Sequence, residues 1–253
     1  MPQSASPALK ALLLGIIDYA GMFPPAELPC FAALEKYQNY LHQENAWMLR
    51  WFVINSVDMN KVSAELKPNL SVLADEDVQG VAALETKRIL TADKPVYCEV
   101  PVTELGQVEE AGCYAKMRTG SVKPEGIPTV EVVADFILKC AELKLPFKAT
   151  AGLHHPVRAV YPLTYAADSP RATMHGFLNV FMAASFAWHG DRDIVPILRE
   201  EDPDAFQFDH DAAWKDRKLS QSQILEARKQ FAHAFGSCSF EEPIQDLQAR
   251  GWL

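Results

Sequence analysis

The sequence lacks any apolar run that approaches the roughly 18 residues a helix needs to cross a bilayer. The apolar stretch from Ala11 to Ile17 is too short for this and is followed directly by Asp18. We therefore expect neither a membrane span nor a membrane partner.

Cysteine is scarce, and no two cysteines form a C-x-x-C pair. The chain has five of them, widely spaced: Cys30, Cys98, Cys113, Cys140 and Cys238. An odd number without paired spacing argues against a disulfide framework and against a structural zinc site. We expect reduced thiols and a cytoplasmic location.

Long basic runs and glycine-rich phosphate motifs are also missing. The formal net charge is -9, and the short basic clusters, such as Arg228-Lys229, lie beside acidic residues. This pattern excludes nucleic acid as a natural partner. Neither G-x-G-x-x-G nor a Walker loop occurs, so no nucleotide cofactor is expected.

The chain does contain short apolar runs that alternate with amphipathic stretches over most of its 253 residues. This alternation is typical of parallel strands joined by helical crossovers. Eight strands are predicted, at Leu12–Ile17, Leu49–Asn55, Leu70–Leu73, Val81–Glu85, Val96–Val100, Cys113–Arg118, Phe147–Thr150 and Ala205–Phe208. Eight is the count of a closed barrel. We predict one α/β domain over residues 1–253, a (β/α)8 TIM barrel, with an open parallel α/β sheet as the alternative.

Three helices have clear boundaries. Thr129 to Leu143 carries apolar residues at helical spacing, and Thr129 is placed to cap it. Ser222 to Phe235 and Glu241 to Arg250 are predicted to close the domain, each stopped by a glycine. The long segment Leu153 to Gly176 is a candidate active-site lid.

Polar residues at the carboxyl ends of barrel strands are the candidates for function, because the active sites of such barrels lie there. The predicted strands end at, or are followed by, Asp18, Asn55, Glu85, Glu99, Lys116, Arg118, Thr119, Lys148 and Thr150. From this set we expect Asp18, Asn55, Glu85, Arg118, Thr119 and Thr150 to bind a small, anionic substrate.

Lys116 and Lys148 are the most informative of these residues, because each lies inside an apolar strand. Strand periodicity places Arg118 on the same face as Lys116, and Thr150 on the same face as Lys148. A nearby cation and poor solvation both disfavour an ammonium ion. One of the two lysines is therefore expected to lose its proton near pH 7 and attack a carbonyl, while the other stays charged.

The passage from Lys116 to Gly152 resembles the lysine strands of deoxyribose-phosphate aldolase and related class I aldolases. In that family a Lys-Thr-x-Thr-Gly strand, a helix beginning Thr-Val-Glu and a Lys-Ala-x-Gly-Gly strand follow one another. This chain has Lys116-Met117-Arg118-Thr119-Gly120, then Thr129-Val130-Glu131, then Lys148-Ala149-Thr150-Ala151-Gly152.

The resemblance implies a Schiff base on Lys116, with Lys148 as its partner and Glu99 in proton transfer. It implies a lyase that forms or cleaves a C–C bond next to a carbonyl. Arg118 stands where the family has a small residue, and no glycine-rich turn follows the last strands to hold a phosphate. A phosphorylated sugar is therefore not expected.

His154 and His155 follow the seventh predicted strand directly. Adjacent side chains on an extended segment point opposite ways, so at most one should face the site, as an acid, a base or a ligand. A divalent metal bound by one histidine with Glu99, Glu85 or Asp18 would make the barrel a metal-dependent hydrolase or enolising lyase. A third alternative is a non-catalytic barrel that binds a small acid. A homodimer is a further expectation, since barrels commonly associate.

Overall fold

A computed structural model describes residues 5–253 of the chain. Its strands are β1 Ile17–Tyr19, β2 Leu49–Asn55, β3 Leu70–Leu73, β4 Ala83–Thr86, β5 Val96–Cys98, β6 Tyr114–Arg118, β7 Phe147–Thr150, β8 Ala159–Pro162, β9 Arg171–Met174, β10 Phe206–Phe208, β11 Ala212–Trp214, β12 Arg217–Leu219 and β13 Ala232–Ser237. Its α-helices are α1 Pro7–Leu13, α2 Cys30–Tyr40, α3 Leu105–Glu110, α4 Val130–Leu143, α5 Phe177–Trp188, α6 Val195–Arg199, α7 Gln221–Gln230 and α8 Glu241–Ala249.

Strands β1 to β7 and β13 form a closed parallel barrel, in the order β1-β13-β7-β6-β5-β4-β3-β2. The barrel closes where β1 pairs with β13 on one side and with β2 on the other. The predicted (β/α)8 barrel is therefore confirmed, and the open-sheet alternative is wrong.

The position predicted for the eighth strand is wrong. Phe206–Phe208 is β10, which pairs antiparallel with β11 in a three-stranded sheet outside the barrel. The eighth barrel strand is β13, which begins inside the stretch predicted as a helix to Phe235. Helix α7 ends at Gln230. Nearly all of β13 is buried, so it lacks the alternation of buried and exposed residues that marks an ordinary strand.

The first strand is also displaced from its predicted position at Leu12–Ile17. The apolar residues up to Leu13 form α1, which Ser6 caps by accepting a hydrogen bond from the Leu9 amide at 3.3 Å. Barrel strand β1 covers only Ile17–Tyr19. As a result Asp18 lies within the strand and not after it.

Two of the predicted helices are confirmed. Helix α4 covers Val130–Leu143, and the Thr129 hydroxyl accepts from the Val132 amide at 3.4 Å. Helix α8 covers Glu241–Ala249, and the Ser239 hydroxyl accepts from the Glu242 amide at 3.1 Å. These side chains satisfy amides that the first turn of a helix leaves without partners.

Helix α5 anchors the layer of helices outside the barrel. All its residues from Phe177 to Ala187 are buried, and it packs against α4, α6, α7 and β13. A helix that is apolar on every side must be enclosed in this way. No helix formed by residues 5–253 is both long enough and apolar enough to cross a membrane.

The segment predicted as a lid, Leu153 to Gly176, contains an antiparallel hairpin of β8 and β9. Leu163 follows β8 and Met174 ends β9, and both contact the cavity at the carboxyl end of the barrel. The hairpin therefore borders that cavity, while a lid movement stays a prediction.

Candidate active site

A cavity of about 260 Å³ lies at the carboxyl ends of the barrel strands. Its polar wall includes five of the residues predicted from sequence: Glu85, Lys116, Arg118, Thr150 and His154. The remaining wall is largely apolar. It comes from barrel strands, from the segments that follow β1, β6, β7 and β13, and from the β8–β9 hairpin: Ala20, Phe23, Pro24, Pro25, Val53, Leu73, Ser121, Val122, Ala151, Gly152, Leu163, Met174, Gly236 and Cys238.

Lys116 and Lys148 are direct register partners on β6 and β7. Both ammonium groups reach the same carboxylate, that of Glu85 on β4. Lys116 Nζ lies 2.9 Å from Glu85 Oε2, and Lys148 Nζ lies 2.7 Å from Glu85 Oε1. Glu85 therefore joins the two lysines by one oxygen each.

Glu85 is almost wholly buried, with 2% of its surface exposed. The Ser71 hydroxyl donates to its Oε1 atom at 2.7 Å. Burial alone would raise the pKa of Glu85, but the charges of Lys116 and Lys148 outweigh burial and hold this pKa well below its usual range. Glu85 is therefore a carboxylate at neutral pH.

Lys148 lies beneath the cavity and has no exposed surface. Its ammonium group also pairs with the carboxylate of Asp18 on β1, which accepts from the Trp51 amide at 3.3 Å. Burial opposes a charge on Lys148, but Asp18 and Glu85 together raise its pKa above the ordinary lysine value. Lys148 is therefore the permanent cation of the lysine pair.

Lys116 differs from Lys148 because it contacts the cavity. Its Nζ atom also lies 3.1 Å from Glu99 Oε2, directly after β5. Burial raises the pKa of Glu99, yet the charges of Lys116 and Arg118 lower it further than burial raises it. Lys116 thus stands between two carboxylates, with the cavity on its open side.

Arg118 completes the outer part of this network. Its Nε atom donates to Glu99 Oε1 at 3.3 Å, and 51% of its side chain is exposed. A guanidinium that is partly solvated and borders a cavity can bind a substrate anion without first breaking a buried ion pair.

These contacts form one series of alternating charges that runs through the barrel. In order the members are Arg118, Glu99, Lys116, Glu85, Lys148, Asp18 and Arg50, and the last contact is the longest, at 3.9 Å between Asp18 Oδ2 and Arg50 Nη1. Every buried charge in the series therefore has a neighbour of opposite sign, which is the condition for burying such groups.

The loops after β6 and β7 are fastened to each other. The Thr119 hydroxyl donates to the Ala151 carbonyl at 2.7 Å. Thr119 is buried and does not contact the cavity. The structure thus places this predicted substrate-binding residue in a loop contact, where its hydroxyl fixes the position of the strand ends that carry Lys116 and Lys148.

The two predicted histidines lie in different surroundings. His154 contacts the cavity, and its Nδ1 atom lies 2.9 Å from Glu242 Oε2 on α8. His155 does not contact this cavity. Its Nδ1 atom lies 2.6 Å from Asp246 Oδ2, its ring stacks on Tyr161 at 3.6 Å, and burial lowers its pKa.

Two further predicted substrate-binding residues, besides Thr119, lie away from the cavity wall. Asp18 lies below the cavity in the ion-pair series, with no exposed surface. Asn55 is the partly exposed last residue of β2 and is not part of the wall. Asp18 therefore acts through Lys148, and the geometry gives Asn55 no contact with the cavity.

Cys238 is a cavity residue that is not among the predicted site residues. It follows the last residue of β13, and its sulfur lies 3.5 Å from the Tyr165 hydroxyl, which donates to Glu242 at 3.0 Å. The rule that points to strand ends would have selected Cys238 if the eighth strand had been placed correctly.

The carboxylates of Asp18, Glu85 and Glu99 form ion pairs with the lysines and arginines of the site. Within the part of the chain from residue 5 onward, no group of three or more His, Cys, Asp and Glu side chains has an arrangement suited to a metal ion. Comparisons of the chain with protein-family models, curated proteins and solved structures found no match. The resemblance to class I aldolases over Lys116–Gly152 therefore stays a prediction.

Proposed function

We propose that this barrel is a class I aldolase-like lyase that forms or cleaves a C–C bond next to a carbonyl through a Schiff base on Lys116. The observation that carries the proposal is the position of Lys116. This residue contacts the cavity and is the register partner of the buried cation Lys148, and its amine lies between the carboxylates of Glu85 and Glu99.

In the first step Lys116 transfers a proton to Glu99, and the free amine attacks the carbonyl carbon of the substrate. The carbinolamine that results loses its oxygen as water, with a proton returned from Glu99, and leaves an iminium ion. Glu99, again a carboxylate, takes the proton of the hydroxyl group on the β carbon, and the Cα–Cβ bond breaks with release of that fragment as an aldehyde or ketone. The electron pair of the broken bond moves to the iminium nitrogen and produces an enamine. Protonation of the enamine carbon and hydrolysis then regenerate Lys116.

Glu85 and Lys148 stabilise this sequence electrostatically. The iminium ion carries a positive charge at the position where the ammonium group of Lys116 stood, so Glu85 and Glu99 continue to face a cation. Lys148 stays charged and occupies the other oxygen of Glu85, which keeps that carboxylate from taking up protons. A fixed set of charges of this kind needs no reorganisation during the reaction.

The cavity favours a small substrate with an anionic group. About 260 Å³ accommodates a carbonyl compound of a few carbon atoms, and its apolar wall excludes water from the enamine. Arg118 is the cavity residue suited to bind a carboxylate. A 2-oxo acid or the aldol derived from it is the substrate class that fits best.

A reducing compartment such as the cytoplasm is part of this proposal. All five cysteines are free and buried. For Cys98, burial and the nearby Cys113 raise the pKa of the thiol to about 12. Thiols of this kind are inert, and they persist unpaired where the medium is reducing.

Borohydride trapping tests the proposal. The purified protein is incubated with a panel of small aldehydes, ketones and 2-oxo acids, reduced, and examined by intact mass and peptide mapping. One adduct on Lys116, absent from Lys116→Ala and retained in the exposed-lysine control Lys139→Ala, is the expected result.

Other outcomes point elsewhere. An adduct on Lys148 would retain the iminium chemistry and reverse the two lysine roles. Saturable binding of a 2-oxo acid without any adduct would favour a non-catalytic binding barrel. No adduct across the panel, together with a chelator-sensitive activity, would favour the metal-dependent alternative.

A further inference from the structure

A second cavity lies at the opposite, amino-terminal end of the barrel and has a volume of about 750 Å³. Its walls come from helices α1 and α7 and from residues at or near the starts of barrel strands, among them Arg50 on β2, Tyr97 on β5, Tyr114 on β6 and His233 on β13. The proposed lyase reaction takes place at the other end of the strands and does not use this cavity.

Aromatic rings form much of its wall. Tyr97, Tyr114 and His233 form a mutual cluster, with ring centroids 5.4 to 6.1 Å apart. The guanidinium of Arg50 stacks on the Trp51 ring at 3.5 Å. Such a wall favours a flat, apolar ligand body.

Within residues 5–253, the charged side chains that line this cavity are all cations. Arg50, Arg228 and Lys229 contribute to the wall, and no Asp or Glu among residues 5–253 does so. Arg228 donates only to main-chain carbonyls, those of Leu12, Leu14, Ala232 and His233. Its charge therefore has hydrogen-bond partners but no carboxylate to neutralise it.

Two neighbouring groups respond to this positive environment. Burial, together with the charges of Arg50 and Arg228, lowers the pKa of His233 to about 3. Burial and the charge of Arg50 lower the pKa of Arg228 to about 9. His233 is thus neutral, and an anion in the cavity would relieve the repulsion between the two arginines.

Arg50 also has an unused donor. Its Nη2 atom donates to the Tyr97 hydroxyl at 3.1 Å. Its Nη1 atom is buried and has no hydrogen-bond partner within residues 5–253, and Asp18 Oδ2 lies 3.9 Å away. The Arg50 guanidinium therefore has no short carboxylate partner. The 19% of its side chain that is exposed borders this cavity, where a ligand oxygen can accept a hydrogen bond from it.

We propose that the amino-terminal cavity is a second ligand site and that it takes a small aromatic carboxylate. The ring of the ligand packs against the tyrosines and Trp51, and its carboxylate pairs with Arg50. This inference is independent of the Schiff-base chemistry at Lys116, because it rests on a different cavity and on different side chains.

Calorimetric titration with benzoate tests the site. Benzyl alcohol and benzylamine serve as neutral and cationic probes of matched shape. We expect saturable one-to-one binding of benzoate and none of benzylamine, because the wall is cationic. Loss of binding in Arg50→Gln would support the assignment of the carboxylate to Arg50.

A pair of surface variants locates the site without disturbing the core. Leu225 contributes to this cavity and is 42% exposed on α7, whereas Val132 is 46% exposed on α4 and lies outside it. Leu225→Glu should weaken benzoate binding by about fivefold, the effect expected of a like charge about 4 Å from the carboxylate in water. Val132→Glu should not change benzoate binding. The pair stays informative even if Arg50→Gln fails to fold.

Two results would overturn the inference. The first is the absence of saturable benzoate binding. The second is binding that Arg118→Gln removes and Leu225→Glu leaves unchanged, because benzoate would then occupy the carboxyl-terminal cavity. Failure here leaves the trapping result on Lys116 unaffected, so the two proposals are tested separately.

Discussion

The backbones of Gly120 and Gly152 meet at the end of the two lysine strands. A Cβ atom built on Gly120 would lie 2.4 Å from the Gly152 Cα atom, and one built on Gly152 would lie 2.5 Å from the Gly120 Cα atom. Gly152 also has a positive φ of 77°. Gly120 and Gly152, the last residues of the two lysine motifs, therefore allow a backbone contact between the two strand ends that any side chain would block.

Alanine at either glycine should be destabilising, because backbone cannot move aside as a flexible side chain can. For Gly120→Ala and Gly152→Ala we expect a loss of about 1–3 kcal/mol in the free energy of unfolding, measured by urea denaturation. Gly106→Ala, in α3 and with no atom within 4 Å of the new methyl group, is the control and should be neutral or stabilising by up to about 1 kcal/mol. Equal effects at all three positions would contradict the backbone contact.

Removing the buried cation Lys148 should lower the free energy of unfolding more than either glycine substitution does. Lys148→Met leaves Asp18 and part of Glu85 buried without their partner, and a loss of about 3–5 kcal/mol in the free energy of unfolding is expected. The matched control is Lys139→Met, whose partner Glu142 is solvated, and its effect should stay within about 0.5 kcal/mol. A double variant Asp18→Asn/Lys148→Met should recover part of the loss. No recovery would mean that the cost is one of packing and not of charge.

The stability of the protein should depend on pH through His233. Its folded pKa of about 3 lies below the unfolded value of about 6.5, so the unfolded chain takes up a proton first as the pH falls. This group therefore costs stability progressively between about pH 6.5 and pH 3, by about 1.4 kcal/mol per pH unit.

The non-titrating variant His233→Gln should remove this dependence. Between pH 7.5 and 4.5 its free energy of unfolding should fall less steeply than that of the unchanged protein, as measured by urea denaturation at each pH. The variant His210→Gln, at an exposed position, is the control and should follow the unchanged protein. Parallel curves for all three proteins would show that His233 is not held neutral.

Arg118 should select the charge of the substrate and not its carbonyl chemistry. For Arg118→Gln we expect the concentration of a 2-oxo acid needed for half-maximal trapping to rise by roughly ten- to a hundredfold, the worth of one charged hydrogen bond. Trapping of a neutral aldehyde of similar size should change little. Equal losses for both compounds would show that Arg118 acts by holding Glu99 in place.

Sequence reasoning succeeded where the residue pattern is local. The strands at Leu49–Asn55, Leu70–Leu73 and Phe147–Thr150 were predicted with the bounds they have, because apolar runs there end at turn residues. The same reasoning failed for β13. This strand is buried on both faces, so its sequence has no alternation of apolar and polar residues, and it follows α7 after a single residue. Its place in the barrel depends on pairing with β1 and β7, which the local sequence does not contain.

The sequence identified several residues of the site but not the contacts between them. Strand-end position selected Glu85, Lys116 and Lys148, but their shared contact depends on the register of β4, β6 and β7. Arg50 was not predicted, because it lies at the start of a strand, where the rule for barrel active sites does not look. The apolar cavity wall from the β8–β9 hairpin likewise requires the tertiary structure.

Closure of the barrel between β1 and β13 has a consequence for the order of folding. Ile17 and Phe235 are register partners although they lie near opposite ends of the described chain. Contacts so distant in sequence form late, because the entropy lost on joining them must be met before they stabilise anything. Until β1 pairs with its neighbouring strands, the Asp18 carboxylate cannot reach Lys148. The pairing that closes the barrel therefore also completes the ion-pair series inside it, because it brings Asp18 to Lys148.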